Sequence, residues 1–507
     1  MNDCLPNDRI EQVIKHYAFI DPAAIAIVSS KYNPLSYSQL IRQIDLAAGM
    51  LSKSGFGNSA RIAIAIKDAA PASLAIIAVA CFAAAVPLDH NLTAAEIEMR
   101  LRLLDVNAVC VSAGEQSAAR AVAEKLGIAV IELMPQGKSE LTFSMSASSL
   151  SCCDQMKNAT PGEVAVIFQT SGTTAEPKLV PCLHSGLLAA AKRTAQWFNL
   201  GKKDRCLSVV PPYYSHGLTF TILAPLLSGG SVAFPSSLTA LNVSEWFETL
   251  KPTWYSTSPT VHLAIYEKLT VSSSGLAHKL RLAGCGGAPL PEYVRSGLEQ
   301  ALNIPVLEHY GMTEASQIST NLPLPGPRKP GTVGIPPSDT VMVVGSDGKN
   351  LPAGHEGEIL VRGPNVMKEY LNGQELNQAA FSDGWFHTGD IGSFDDEGFL
   401  TLHGRINELI NRGGEKISPA EVEAVILKHP AVAEAVAFSI PHPRLGEDVA
   451  LAVVLRPGVT LSSDDFRRFM RDYVSWNKIP RRVHFMESIP KGQSGKALRR
   501  RLRDLIT

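Results

Sequence analysis

The chain has 507 residues, of which 45% are hydrophobic and 19% are charged. These values are ordinary for a globular protein of two or more domains, and a chain of this length buries enough core to need no disulfide support. The formal net charge of -1 gives no electrostatic reason to expect binding to nucleic acid or to an anionic membrane. The eight cysteines show no C-x-x-C spacing, which argues against a structural zinc site and is typical of reduced intracellular thiols.

The two ends of the chain and one apolar stretch bear on membrane association and export. Residues 1–8 are polar and acidic, unlike a secretory signal, and residues 505–507 are not a peroxisomal signal. The apolar stretch 69–88 contains Pro71 and Pro87, which favours a buried core helix of about 14 residues over a membrane span of about 20. We therefore predict no membrane span and a cytoplasmic location.

Between residues 60 and 310, apolar strand-like runs alternate with Ala/Leu-rich helical runs. The predicted strands include 61–66, 108–111, 129–131 and 206–210. Short strands separated by helices predict parallel sheets that are covered on both faces. Residues 330–403 instead carry Gly and Pro every few positions, with β-runs at 340–344 and 358–361, which predicts a small antiparallel or barrel-like subdomain.

A second domain is predicted to begin near Arg405. Its elements are a helical run at 419–429, strands at 433–440 and 448–455, and a helix at about 464–475. That last helix places apolar residues at i, i+3, i+4 and i+7, so one face is expected in the core: Phe466, Phe469, Met470 and Tyr473. The predicted fold is α/β, with a large N-terminal domain of several subdomains (1–404) and a small mobile α+β lid (405–507).

A run of nine residues, 170–178, concentrates polar chemistry directly after an apolar strand-like run. It reads Thr-Ser-Gly-Thr-Thr-Ala-Glu-Pro-Lys. A strand that ends in such a loop presents backbone N–H groups, hydroxyl donors and one cation to a polyphosphate. The spacing is not that of the P-loop, and Ser/Thr/Gly clusters are also typical of ordinary loops, so this run alone leaves both interpretations open.

Six further motifs follow in a fixed order and settle the interpretation. They are Tyr-Gly-Met-Thr-Glu at 310–314, Gly-Glu-Ile at 357–359 with Arg-Gly at 362–363, Trp-Phe-His-Thr-Gly-Asp at 385–390, Gly-Arg-Ile-Asn-Glu-Leu-Ile at 404–410, Arg-Gly-Gly-Glu-Lys-Ile at 412–417 and Pro-Lys-Gly-Gln-Ser-Gly-Lys at 490–496. With the loop at 170–178, this ordered set resembles the acyl-adenylate-forming superfamily of acyl-CoA synthetases, peptide-synthetase adenylation domains and luciferases. The resemblance extends from about Tyr37 to Lys496.

The resemblance implies that a carboxylic acid reacts with ATP and Mg²⁺ to give acyl-AMP and pyrophosphate, and that the acyl group then passes to a thiol, with CoA as the expected acceptor. A carboxylate needs this activation because oxide is a poor leaving group, and the enzyme must neutralise charge that develops at the α-phosphate. The implied nucleotide-binding residues are Thr170, Ser171, Gly172, Thr173, Thr174, Lys178, Gly287, Ala288, Pro289, His309, Tyr310, Gly311, Asp390 and Arg405.

Individual roles follow from the same resemblance. Tyr310 is expected to stack on adenine, and Asp390, supported by Arg405, to accept both ribose hydroxyls. Glu314 is expected to be the Mg²⁺ ligand, since Mg²⁺ prefers carboxylate oxygen. The catalytic group would comprise Glu314, Thr313, which would contact the α-phosphate, and Lys496, the lysine that promotes adenylation.

The second half-reaction is expected to follow a rotation of the small domain about Asn407, a position where this family usually has Asp or Lys. The residues expected to line the thiol tunnel are Tyr214, Arg412, Gly413 and Gly414. The triplet 499–501, three arginines, either meets the nucleotide phosphates of CoA or is a solvated face of a terminal helix.

The acid pocket is expected to contain His216, Gly217, Ser258, Gly286 and Gln317. Within the superfamily, 314–334 and 408–419 resemble oxalyl-CoA synthetases most closely. Those enzymes have Ser-Ser where this chain has Gly286-Gly287, and His where it has Gln317. Because a second carboxylate needs hydrogen-bond donors, oxalate would be poorly held, and we expect another acid in a wider, less polar pocket.

Two rival interpretations remain at this point. A stand-alone adenylation enzyme could load the acyl group onto a carrier protein instead of CoA, although the Tyr-Tyr-Ser-His-Gly run at 213–217 lacks the Asp that would pair with an amino-acid substrate. A binding or regulatory protein could keep the fold without catalysis. The joint presence of five charged motif residues argues against the second: Lys178, Glu314, Asp390, Arg405 and Lys496.

Overall fold

A computed structural model describes residues 9–147, 163–170, 177–236, 242–271, 276–371, 373–491 and 497–506. Its helices are α1 Ile10–Ile20, α2 Tyr37–Lys53, α3 Ala69–Ala80, α4 Ala94–Leu103, α5 Ala118–Leu126, α6 His184–Trp197, α7 Ala224–Leu226, α8 Val243–Thr249, α9 Pro259–Val271, α10 Glu292–Leu302, α11 Gln374–Ala380, α12 Pro419–Ile426, α13 Ser463–Met470 and α14 Arg499–Ile506. A π-helix covers His216–Leu223, and 3₁₀ turns cover Ile406–Glu408 and Trp476–Lys478.

Seven strands form one sheet of the N-terminal region, in the spatial order β7-β6-β5-β3-β4-β8-β9. The inner strands are parallel, and the two edge strands β7 and β9 run antiparallel to their neighbours. The strand bounds are β3 Arg61–Ile64, β4 Ala84–Pro87, β5 Ala108–Ser112, β6 Ala129–Pro135, β7 Phe143–Ala147, β8 Val164–Thr170 and β9 Lys178–Leu183.

Eight strands form the second sheet, in the order β15-β14-β13-β12-β10-β11-β1-β2. This sheet is also parallel except at its two edges, β2 and β15. The bounds are β1 Ile25–Ser29, β2 Leu35–Ser36, β10 Arg205–Leu207, β11 Ser231–Phe234, β12 Trp254–Thr257, β13 Leu282–Cys285, β14 Val306–Met312 and β15 Ser316–Thr320. The predicted parallel sheets are thereby confirmed.

The remaining strands form two smaller sheets. Antiparallel strands make the first, in the order β16-β17-β19-β18 with β20 on β19, as predicted for 330–403. The second has the order β22-β21-β24-β23, with β25 on β24. The bounds are β16 Val341–Val344, β17 Gly357–Val361, β18 Phe381–Ser382, β19 Trp385–Phe394, β20 Leu400–Arg405, β21 Ile410–Arg412, β22 Glu415–Ile417, β23 Val432–His442, β24 Gly446–Leu455 and β25 Arg482–Phe485.

The prediction of a core helix of about 14 residues between Pro71 and Pro87 is right for its first part and wrong for its last residues. Helix α3 has 12 residues with Pro71 in its first turn, where a missing N–H is tolerated, and the chain then turns into strand β4. A continuous apolar run does not distinguish a buried helix from a buried parallel strand. In the described ranges, no helix is long and apolar enough to cross a membrane.

The prediction for the core face of the 464–475 helix is only partly right. Helix α13 ends at Met470, and Phe466 and Met470 are buried while Phe469 packs beside them. Tyr473 is 53% exposed because it follows the last helical residue and no longer shares that face.

Candidate active site

Three of the sequence motifs meet at the carboxylate of Asp390. The hydroxyl of Tyr310, on β14, donates a 2.5 Å hydrogen bond to Asp390 Oδ2. Arg405 Nε, at the end of β20, donates to Asp390 Oδ1 over 2.6 Å. Since Asp390 and Arg405 lie on paired strands β19 and β20, it is the Tyr310 bond that joins the eight-stranded sheet to the antiparallel sheet.

Burial sets the chemistry of this cluster. Tyr310 and Asp390 are 6% and 7% exposed. Burial, followed by the Asp390 charge, raises the pKa of Tyr310 well above its ordinary value, so its hydroxyl stays a donor. A carboxylate has about four acceptor sites, and the two protein bonds therefore leave room for ribose hydroxyls on Asp390. Stacking of Tyr310 on adenine stays a prediction, to which the structure adds this hydrogen bond.

Glu314 lies in the turn between β14 and β15 and is 7% exposed. Its Oε1 accepts a 3.0 Å hydrogen bond from the hydroxyl of Tyr370, and the Lys178 ammonium lies 4.9 Å from the centre of the Tyr370 ring. Thr313, next in the turn, exchanges a 3.2 Å hydroxyl hydrogen bond with Ser215. Carboxylate, lysine and hydroxyls thus gather beside the end of strand β8.

The donor set around Glu314 fits a Mg²⁺ ion that arrives with ATP. In the described part of the chain, no group of three or more His, Cys, Asp or Glu side chains is arranged to hold a metal. One carboxylate is nevertheless what such an ion requires, because phosphate and water supply its remaining ligands. Glu314, whose Oε1 accepts the Tyr370 hydroxyl, would hold the ion through its carboxylate.

The phosphate loop is framed by two described residues. Thr170 and Lys178 are paired opposite each other where β8 and β9 run antiparallel. Ser171, Gly172, Thr173, Thr174 and Lys496 lie outside the described residues, and their predicted roles stay predictions. The stretch expected to face the purine, Gly287, Ala288 and Pro289, is exposed, and Gly311 lies opposite Gln317 in the β14–β15 hairpin.

A buried polar cluster lies beside the nucleotide residues. Ser256, the third residue of β12, is within hydrogen-bond distance of two imidazoles: 2.9 Å from His216 Nε2 and 3.0 Å from His309 Nε2. The His309 ring stacks on Phe220 with centroids 4.6 Å apart. Burial, and then the neighbouring His216, lowers the pKa of His309 well below its ordinary value, so His309 is neutral at pH 7.

The backbone of Gly286 packs closely against the His309 ring of that cluster. A Cβ atom at Gly286 would lie 2.2 to 2.8 Å from three atoms of the His309 imidazole. The ring therefore fills the space that a side chain at 286 would take. His309, predicted for the nucleotide, thus lies beside His216 and Gly286, two residues predicted for the acid pocket, and Gln317 interacts with it.

The other predicted pocket residues take different places. Gly217 packs against the Pro211 carbonyl, since a Cβ there would lie 2.1 Å from that oxygen, so its role is close packing. The backbone carbonyl of Ser258 accepts hydrogen bonds from the first turn of α9. The cluster of His216, Ser256 and His309, with Gln317 beside it, is called the His309 wall below. It is more polar than the sequence led us to expect. Ser256 was missed, and its only signal was its place near the carboxyl end of a parallel strand.

The residues predicted for the thiol tunnel belong to two regions. Tyr214 is half-buried against Tyr213, with ring centroids 4.7 Å apart. Arg412 Nε donates to Asp448 Oδ1 over 2.7 Å, and its guanidinium lies 4.9 Å from the centre of the Trp476 ring. Arg412 and Trp476 line a cavity of about 530 Å³ with three further arginines, Arg467, Arg471 and Arg481. Gly413 and Gly414 form the turn between β21 and β22.

Two other expectations concern the C-terminal region. Asn407 lies in the exposed 3₁₀ turn between β20 and β21, where the chain leaves one sheet for another, and its hinge role stays a prediction. Arg499 of the triplet is half-buried in an ion-pair cluster, and the CoA role considered for the triplet stays a prediction. Its guanidinium pairs with half-buried Glu423 and, over 3.1 Å, with Glu408. Arg500 and Arg501 are exposed.

Comparison with known proteins identifies the class. The family described as AMP-binding enzyme matches residues 14–371, and the AMP-binding enzyme C-terminal domain matches 421–496. The chain therefore belongs to the AMP-binding enzyme family.

Relatives and solved structures agree with this. The chain is 36% identical over 507 residues to the oxalate–CoA ligase of Arabidopsis thaliana, covering 98% of each protein. It is 36% identical to a probable CoA ligase of Humulus lupulus, covering 95% of this chain and 93% of that protein. The ATP-bound structure of MatB from Rhodopseudomonas palustris superposes with a TM-score of 0.86 at 26% identity, covering 98% of this chain and 99% of that one.

The particular activity follows from these relations. The chain is an AMP-forming acid–CoA ligase: it activates a carboxylic acid with ATP, releases pyrophosphate and transfers the acyl group to CoA, using Mg²⁺ with the nucleotide. These relatives are named as CoA ligases, and their names give no support to the carrier-protein alternative.

Proposed function

We propose that this ligase acts on a carboxylic acid whose far end carries a hydrogen-bonding group, and that the motif residues perform the two half-reactions as follows. The observation that carries the proposal is the convergence of buried Tyr310 and Asp390 with the more exposed Arg405, next to Glu314 and the His309 wall. The proposal includes a boundary between domains at 404/405 and a cytoplasmic location.

In the first half-reaction, a carboxylate oxygen of the acid attacks the α-phosphorus of ATP, and the bond to the β-phosphate oxygen breaks to release pyrophosphate. Asp390 holds the ribose, so that the α-phosphate is fixed in front of the acid. Thr313 and Lys178 donate to phosphate oxygens, and Glu314 would hold the Mg²⁺ that accompanies ATP and neutralises phosphate charge. Lys496, in its Gly-rich loop, stabilises the negative charge that develops between acid and phosphate.

In the second half-reaction, the CoA sulfur attacks the acyl carbon, AMP leaves, and the thiol proton is lost to solvent. We assign Asn407 as the hinge that turns the small domain and brings the β21–β22 turn to the tunnel. The arginines beside Arg412 and Trp476 are suited to the phosphates and the adenine of CoA, because guanidinium binds phosphate and indole stacks on a base.

The choice of acid rests on the His216–Ser256–His309 wall. Neutral His309 and the Ser256 hydroxyl can hydrogen-bond a polar group but supply no positive charge to a second carboxylate. This chain also has Gly286 and Gly287 where oxalyl-CoA synthetases have Ser-Ser, so two further donors for a second carboxylate are absent from these positions. A substrate with a hydroxyl, carbonyl or amide at its far end therefore fits better than oxalate.

The experiment is pyrophosphate release against a panel of acids with and without CoA. The panel runs from oxalate and malonate through hydroxy, oxo and amide-bearing short acids to medium acyl and aryl acids. We expect one class with a polar, uncharged far end to be turned over, and turnover to require CoA. Preference for oxalate would overturn the acid assignment, and release that stalls at one equivalent despite CoA would overturn the choice of acceptor.

A further inference from the structure

A second cavity lies at the amino ends of the parallel strands of the eight-stranded sheet. It has a volume of about 560 Å³ and is bordered by the first residues of β1, β10 and β11, namely Ile25, Arg205 and Ser231. The candidate active site lies instead beyond the carboxyl ends of the parallel strands. A strand of four residues spans roughly 13 Å, so the cavity and the candidate active site are separated by about the length of a strand.

The border of this cavity is strongly basic. Five cationic side chains line it, and Asp21 is the single acidic residue among the lining residues: Lys202, Lys203, Arg205, Lys251 and Lys279. Asp21 Oδ1 already accepts the backbone N–H of Ala24. Such an excess of one charge sign around a concave surface attracts anions.

Arg205 is the most informative of the five. It is half-buried, and burial lowers its pKa. Its Nε donates to Ser231 and its Nη1 to the Leu250 carbonyl, both neutral acceptors. The carboxylate next to it, Asp204, is bonded by Arg281 and Thr253. Within the described residues, none of the five cations forms an ion pair.

The other wall of the cavity is apolar. The Tyr17 ring covers Gly229, where a Cβ would lie 2.6 Å from a ring carbon. Ile20 and Ile25 line the cavity and are 46% and 37% exposed, and the adjacent Phe19 is 87% exposed. A cationic rim facing an apolar wall suits a ligand that has phosphate groups on one side and an apolar or aromatic group on the other.

We propose that this cavity is a binding site for a phosphate ester that carries at least two negative charges beside an apolar group, separate from the ligase active site. Its volume suits a ligand of nucleotide size. The same chemistry is found in free phosphorylated small molecules and in phosphorylated lipid headgroups.

The binding test uses the full chain with Lys178→Ala and Asp390→Asn, two changes in the proposed nucleotide site that lie outside this cavity, because a nucleotide added to fill the active site would also suit this cavity. Pyrophosphate release is measured without these two changes. Binding of inorganic tripolyphosphate is measured by calorimetry, and binding to vesicles by sedimentation, with phosphatidylcholine alone or phosphatidylcholine containing phosphatidylinositol phosphate. The test variant is Lys203→Glu with Lys279→Glu. The charge-matched control is Lys138→Glu with Lys268→Glu, two exposed lysines that do not line the cavity.

We expect saturable binding of at least one probe, weakened about tenfold or more in the test variant and unchanged in the control, with stronger binding at low salt. Tripolyphosphate binding alone identifies a free ligand, and binding only to phosphoinositide vesicles identifies a headgroup. Pyrophosphate release by the test variant should equal that of wild type, which verifies its fold. Absence of saturable binding to both probes, or equal loss in the two double variants, would overturn the proposal.

Discussion

The hydroxyl of Tyr310 and the carboxylate of Asp390 are joined by a 2.5 Å hydrogen bond across 80 positions of sequence. Both groups are buried, and the bond links the main parallel sheet to the antiparallel sheet. It places the carboxylate proposed to hold ribose at a fixed distance from the hairpin that carries Thr313 and Glu314. The residues proposed to hold ribose and Mg²⁺ are thus connected through elements that precede the proposed hinge at Asn407.

Replacing Tyr310 by Phe tests this link. A hydrogen bond to a charged group contributes about 1.5–3 kcal/mol, so Tyr310→Phe should lower kcat/KM for ATP by roughly 10- to 100-fold. ATP–pyrophosphate exchange at varied ATP measures the effect. Tyr473→Phe, at a residue that is 53% exposed, is the matched control and should match wild type. An unchanged exchange rate in Tyr310→Phe would show that the Tyr310–Asp390 bond does not contribute to the use of ATP.

Replacing Ser256 by Ala tests the acid wall. The change leaves ring nitrogens of His216 and His309 without their shared partner, at about 1–3 kcal/mol for a buried group. We expect KM for the acid to rise by roughly tenfold or more while KM for ATP changes little. Ser208→Ala is the control, because Ser208 is also buried and bonded to one hydroxyl, that of Thr221. Equal changes in both KM values would show that Ser256 is only structural.

Replacing Arg499 by Ala tests the anchoring of the segment that follows Lys496. Arg499 pairs with Glu423, a half-buried carboxylate that would keep the Ala437 backbone N–H as a donor, so loss of the pair should cost about 1–3 kcal/mol. We expect a lower Tm and slower adenylation, while Arg501→Ala, at an exposed position, should change neither. A stable Arg499→Ala protein with weaker CoA binding would instead restore the CoA-phosphate role considered from the sequence.

Glu308 gives stability a specific pH dependence. Burial raises its pKa from an ordinary 4.5 to about 7. The folded state thus binds this proton more tightly than the unfolded state, and the stabilisation present at low pH is lost as the pH rises from about 4.5 through 7, by about 3 kcal/mol in total. Glu308→Gln, which does not titrate, should flatten the Tm profile between pH 5 and pH 8.

The control for that profile is Glu248→Gln, at an exposed position, which should keep the wild-type shape. Thermal melts in one buffer series at constant ionic strength provide the measurement. A Glu308→Gln profile that parallels wild type would show that this carboxyl does not contribute the pH dependence.

The ordered motifs were sufficient to predict the class of enzyme, and periodicity predicted the parallel sheets, because both signals are local in the sequence. The His216–Ser256–His309 cluster could not be found this way, since its members come from a π-helix and two strands and lie close only after folding. The ion pair of Arg499 with Glu423 could not be predicted for the same reason, because the two residues lie 76 positions apart in the sequence. The 69–88 run was misjudged because its composition suits both a buried helix and a buried strand.

The most direct test of the central claim follows one oxygen atom. The acid identified by the panel is labelled with ¹⁸O in its carboxylate and converted to the CoA ester with unlabelled ATP, and the products are analysed by mass spectrometry. Attack of the carboxylate on the α-phosphorus predicts one ¹⁸O atom in AMP and none in pyrophosphate, with Lys496→Ala strongly slowed. Label in inorganic phosphate, together with ADP as product, would contradict acyl-adenylate formation.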